Sequence, residues 1–263
     1  MKNIQTNLFD FESEYNADDS VSNVRKLISM HQRGLLGGEV MPEDARPSDI
    51  VESSRENLLF LTLPMALNYQ RNSYKLWESA ARMFEDNETR MAFFPECVVE
   101  LTDETLLSYL TKYKVALQPN RHLDIWRKVA SGLNIMFEND VENIFKDCDY
   151  DVLKIKETIQ VTNKKVFPYL SGHKIFNYWL YVMESYSPVK FKNRNEITIA
   201  PDTHIIQASL KLKVVRGDFD SLAQDRMIVA DAWKDLLKDT EIAPIDVHTP
   251  LWLWSRKGFP PII

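Results

Sequence analysis

From residue 55 onward, apolar residues return at intervals of three and four, segment after segment, and almost never alternate. This pattern most constrains the fold. A helix buries one face at a period of 3.6 residues, whereas a half-buried strand needs a period of two. SYKLWESAARMFED (73–86) shows it plainly, with Leu76, Trp77, Ala80 and Phe84 on one side. The same spacing predicts helices over 55–70, 102–116, 121–137, 149–167, 167–186, 200–215, 221–239 and 248–258, with a shorter one over 21–36. Ser53 or Ser54 caps the first of the long series, Pro64 interrupts it, and Thr102 opens the 102–116 helix. Gly37 and Gly38 stop the 21–36 helix, and the one over 121–137 ends near Gly132 or runs past it. Only EITIA (196–200) alternates like a strand, and nothing near it would pair with it. The chain has 7 glycines in 263 residues, too few for a turn-rich all-β architecture. The expected class is all-α.

Hydrophobic residues make up 44% and charged residues 27%, enough apolar side chains to fill a sizeable core. No apolar stretch approaches the ~20 residues a membrane helix needs. The opening MKNIQTNLFDFESEYNADD is acidic and lacks a leader's apolar core, which predicts a cytoplasmic protein without membrane association. Residues 1–55 read as an acidic arm or extension, and 56–263 as the main domain. The two cysteines, Cys97 and Cys148, are too few for a disulfide framework or an iron–sulfur cluster and read as reduced thiols. The five histidines (His31, His122, His173, His204, His248) show no metal-ligand spacing, so no catalytic metal is expected. Phosphate-loop, dinucleotide and nucleophile-elbow motifs are absent.

Net charge is −6, but it is unevenly distributed. Residues 1–57 hold 6 basic and 11 acidic side chains, whereas 161–217 hold 9 basic and 3 acidic. A basic stretch in an acidic chain is a candidate phosphate-binding surface; a solvated charged face is the alternative. Within it, PYLSGHKIFNYWL (168–180) reads as a helix end, a tight turn and an apolar helix. Such a turn, with the next helix's N-terminus, predicts backbone N–H groups that face outward unpaired. PDTHIIQASLKL (201–212) places Asp202 where a helix begins, so its carboxylate can cap that helix and stay partly exposed.

Together these segments resemble the helix-hairpin-helix DNA glycosylase superfamily, closest in flavour to the archaeal 8-oxoguanine glycosylase/lyases. Gly172-His173-Lys174 matches the G-x-K of the family hairpin, Pro201-Asp202-Thr203-His204-Ile205 its Asp segment, and Asp246 to Trp252 a C-terminal Asp-to-Leu-Trp stretch. LFLTLPMALNYQRNSYKLW (59–77) resembles an early helix whose Gln-bearing end probes DNA. The sequence departs from the pattern at Leu170 or Ser171 and at Phe176, and its Lys-to-Asp spacing is wide. The resemblance implies a two-lobed all-α glycosylase with its hairpin near 160–180 and its Asp segment at 200–212. It implies no cofactor beyond a possible monovalent cation on the hairpin backbone. The implied partner is double-stranded DNA carrying a damaged or modified base.

The implied chemistry is base excision. Breaking an N-glycosidic bond builds positive charge on the sugar, which Asp202 would stabilise while accepting a proton from the nucleophile. Lys174 could attack the sugar as an amine and cleave the strand, provided that apolar neighbours such as Ile175, Phe176 and Trp179 favour its neutral form. Ser171, Gly172, His173, Lys190, Lys192, Arg194 and Gln70 would contact DNA. Asn68, Tyr69, Trp77, Asp246, His248 and Trp252 would line the pocket for the extruded base. Each has a plainer alternative: a capping Asp202, a phosphate-binding or solvated Lys174, core tryptophans. An oxidised purine is the first substrate expected. Modified bases of foreign DNA, a nucleoside or RNA substrate, and a non-catalytic DNA-binding module stay open.

Overall fold

A computed structural model describes residues 17–37 and 41–263; the first sixteen residues of the acidic arm and Gly38 lie outside the described residues. Every element in it is helical, and no strand occurs among the described residues. The alternating stretch 196–200, for which the sequence offers no pairing partner, forms no strand. Its start joins a single turn of 3-10 helix, Arg194–Glu196. In chain order the α-helices are α1 (Ala17–Gln32), α2 (Arg55–Thr62), α3 (Ser73–Glu85), α4 (Pro95–Val98), α5 (Asp103–Lys112), α6 (Pro119–Met136) and α7 (Val141–Asp147). There follow α8 (Val152–Lys156), α9 (His173–Tyr186), α10 (Thr203–Lys211), α11 (Phe219–Gln224), α12 (Met227–Leu237) and α13 (His248–Arg256). None among the described residues is long and apolar enough to cross a membrane.

Local chemistry explains most boundaries. Ser54 caps α2, its Oγ accepting from Asn57 N at 3.2 Å, and the helix gives way at Pro64, which has no N–H to continue it. Thr102 caps α5 in the same way. Two long predicted helices are shorter than their patterns. The 149–167 stretch stops being α-helical at Lys156, passes through a π-turn (Glu157–Thr162) and then turns. The 167–186 stretch is helical only from His173. In both, apolar side chains of the turn still point inward, so burial alone mimics a helical period.

Two compact units are present. One comprises residues 41–200 and 243–245, the other 17–37, 201–242 and 246–263. The division thus falls elsewhere than at residue 55, and α1 belongs with α12 and α13 rather than standing as an arm.

The larger unit is organised on aromatic side chains that face one another. Phe60 packs against Trp77, Phe84 and Phe93, with ring centroids 5.5–5.7 Å apart, and Trp126 meets Phe93 edge-on at 5.4 Å. Polar tips inside this core are satisfied: Trp126 Nε1 donates to the Ala92 carbonyl at 2.8 Å, and Trp179 Nε1 to Thr62 Oγ1 at 3.0 Å. In the smaller unit, α10 lies along α13, and Trp233 Nε1 donates to Ser209 Oγ at 2.8 Å.

Candidate nucleic-acid interface

In the larger unit, the hairpin runs from the π-turn to the start of α9. Three features close it. Gln160 Nε2 donates to the Ser171 carbonyl at 3.0 Å, Ser171 Oγ donates to the Lys164 carbonyl at 3.3 Å, and Tyr169 takes a left-handed conformation, φ +62°. Gly172, the N-cap of α9, lies so close to the turn that a Cβ there would sit 3.0 Å from the Tyr169 carbonyl oxygen. Gly132, inside α6, serves the same approach from the other side: a Cβ on it would meet Val166 Cγ1 at 2.3 Å. The helix continues through this glycine because a missing side chain lets the turn dock there.

The outward N–H groups expected at the turn are not there. Leu170 N donates to the Pro168 carbonyl, Ser171 N to Phe167 and Gly172 N to Tyr169, at 2.8–2.9 Å. The turn is tight enough to satisfy its own donors, which removes them as phosphate ligands. The carbonyls of Lys164, Phe167, Pro168, Tyr169 and Ser171 likewise each accept a bond within the hairpin. Among the described residues, no cluster of His, Cys, Asp or Glu is placed to hold a metal ion.

Lys174 is exposed on the first turn of α9, while Ile175, Phe176 and Trp179 turn into the core. The apolar enclosure expected around the amine is missing, since alternate faces of a helix cannot both be interior. His173 is held inward, its Nε2 3.1 Å from Thr198 Oγ1.

The basic loop after α9 is built on Glu184, which is 8% exposed. Its carboxylate accepts from Phe191 N at 3.2 Å and Arg194 Nε at 2.6 Å, and its carbonyl accepts from Lys190 Nζ at 2.9 Å. Lys192 pairs with Asp149 at 2.7 Å. These three cations therefore hold the loop in place. They do not form an uncommitted row for phosphates.

The segment after the first long helix comes to the hairpin. Tyr69 stacks on Tyr169 with centroids 3.9 Å apart and planes within 10°, and the Arg121 guanidinium lies 5.3 Å from one ring and 4.9 Å from the other. Gln70, next in the chain, is exposed and left-handed at φ +48°. Arg71 then turns back, its Nη1 donating to the Val115 carbonyl at 2.6 Å and its Nη2 to Lys114 at 3.2 Å. Asn68 is half-buried, its Nδ2 3.9 Å from Met65 Sδ. Trp77 is 0% exposed and belongs to the aromatic core, packed against Phe60.

In the smaller unit, Asp202 is the N-cap of α10, its Oδ1 accepting from Ile205 N at 3.0 Å, and it is half-buried. Two residues on, His204 Nδ1 lies 3.2 Å from Ser255 Oγ of α13, and its ring meets Trp252 edge-on at 5.7 Å. The Arg256 guanidinium sits 4.6 Å from the Trp252 ring. Asp246 is half-buried in a 3-10 turn, Pro244–Val247, and His248 is buried at the head of α13. The structure thus brings the Asp202 segment together with Trp252, and Gln70 together with the hairpin, each within its own unit.

Tyr169, Arg121, Arg71 and His122 escaped the sequence reading. Nothing local marks them, because their relation to Tyr69 exists only after distant segments pack. No protein-family model matches the chain, and no curated protein is significantly similar to it.

Proposed function

We propose that the chain is a DNA N-glycosylase of the helix-hairpin-helix kind, acting on a damaged or modified base, with an oxidised purine as the first candidate. The observation that carries this reading is the Tyr69–Tyr169 stack under Arg121. It brings the segment of the exposed Gln70 to the hairpin, together with a cation and two aromatic rings, group types that contact phosphates and bases in nucleic-acid binders. Asp202 supports the reading as a half-buried carboxylate at the head of α10 whose cap uses Oδ1. In this reading Asp202 stabilises the positive charge on the sugar and takes the proton of the attacking nucleophile. The exposure of Lys174 favours water as that nucleophile, with the lysine as a phosphate contact.

The test is base release from duplexes carrying a panel of single lesions. Asp202→Asn is expected to lose at least a hundredfold in excision rate while binding the same duplex within severalfold. Undiminished excision by that variant sinks the role of Asp202. No excision of any lesion, with salt-sensitive duplex binding, leaves a non-catalytic binder. Borohydride trapping on an abasic duplex tests the nucleophile. No adduct is expected, and one that vanishes in Lys174→Gln would restore amine chemistry.

A further inference from the structure

His122 at the start of α6 and two residues of the segment before α3 that pack near it bury hydrogen-bonding atoms that have no partner. They are Tyr69 Oη, Arg71 Nε and His122 Nε2. His122 is 2% exposed. Its Nδ1 accepts the Leu117 N–H at 3.1 Å, so the proton of the neutral ring sits on Nε2. Burial first, then the charge of Arg71, press its pKa down to about 4, so it is neutral at physiological pH. The Val115 carbonyl lies near the ring but outside hydrogen-bond geometry, and it already accepts from Arg71. The Tyr69 ring meets the imidazole edge-on at 5.6 Å.

The chemistry of the set is one-sided. Arg71 Nε–H and His122 Nε2–H can only donate, and the Tyr69 hydroxyl can donate as well. Arg71 and Arg121 are the charges acting on His122 and Tyr69, and both are positive. Buried donors left unmade are costly, so such a cluster is matched to an incoming acceptor that carries negative charge. The backbone adds to this. α6 is 18 residues long, its N-cap Gln118 makes no side-chain cap, and its first turn carries Arg121 and His122.

We propose that Tyr69, Arg71 and His122 form the donor set of a phosphate-group site at the N-terminus of α6, with Arg121 as its exposed outer cation. The site stands on this cluster and holds whether or not the chain excises bases. Two sources offer the group: a nucleic-acid backbone or a free phosphate.

The experiment follows the His122 ring by NMR in the full chain, titrated with inorganic phosphate against chloride at equal ionic strength. Phosphate is expected to move the His122 resonance and raise its pKa by at least one unit; chloride is not. Tyr69→Phe is the discriminating variant. It removes a hydroxyl with no partner, so its melting temperature in chloride should stay level or rise, while phosphate binding weakens roughly tenfold. A short DNA duplex forms the second arm. If the duplex also shifts His122, competes with phosphate and binds Tyr69→Phe more weakly, the site takes a backbone phosphate. If phosphate acts and the duplex does not, the site stands and serves a small phosphorylated ligand, against the DNA reading. No response of His122 to either probe overturns the proposal, as does phosphate binding undiminished in Tyr69→Phe.

Discussion

Glu43 is 1% exposed, and only one of its oxygens is hydrogen-bonded, accepting from Tyr178 Oη at 3.1 Å. Trp77 Nε1 approaches without meeting hydrogen-bond geometry. Burial pushes the carboxyl up to about 7 from an ordinary 4.5. The native state thus holds a proton that the unfolded chain gives up near pH 4.5. Stability is full below that value and falls as pH rises towards 7, by about 3 kcal/mol. Glu43→Gln should flatten this decline and raise the melting temperature at pH 8 by roughly 5 °C. His122 has the opposite sign. Its folded pKa lies below 6.5, so its contribution is present above 6.5 and is lost as pH falls through about 4. His122→Gln should therefore lessen acid sensitivity, read as the slope of melting temperature between pH 6 and 4. The two windows overlap with opposite slopes and offset each other in the wild type, so the variants decide: a profile left unchanged by Glu43→Gln contradicts the Glu43 assignment, and one left unchanged by His122→Gln contradicts the His122 assignment.

At the scale of elements, the contact that positions the hairpin is that of α6 with the turn at Val166. Gly132→Ala tests it, because two effects compete. Alanine improves helix propensity by ~1 kcal/mol, but its Cβ would collide with Val166 Cγ1. Overpacking costs ~1–3 kcal/mol, so net destabilisation of about 1 kcal/mol is expected in chemical denaturation. Adding Val166→Ala should relieve the collision and restore the loss. A stabilising Gly132→Ala would mean that the turn does not sit this close to α6. Loss of the Ser54 cap is a simpler case: Ser54→Ala should cost ~1 kcal/mol, since Asn57 N loses its acceptor.

For the whole molecule, charge decides how it meets a polyanion. If the proposed function holds, a chain with a net charge of −6 meets DNA through a local cationic surface, and duplex binding is expected to weaken steeply with salt. Arg121→Gln should weaken duplex binding and reduce the slope of log K against log salt by about one. Lys192→Gln and Arg194→Gln should leave the slope nearly unchanged, because those cations are paired with Asp149 and Glu184. The reverse pattern would place the contact surface on the loop after α9.

The all-helical class, the caps at Ser54, Thr102 and Asp202 and the interruption at Pro64 were legible in the sequence. Each depends on residues within four positions of one another, where spacing and hydrogen-bonding chemistry act through a fixed local geometry. Tertiary structure alone decided where the helical pattern around the hairpin breaks into turns, and that the turn consumes its own N–H groups. It also decided that Lys174 faces solvent, that the loop cations close on Glu184 and Asp149, and that Tyr69 stacks on Tyr169 beneath Arg121. Those outcomes join segments far apart in the chain. A residue's type limits which partner it can accept, but only packing determines which partner arrives.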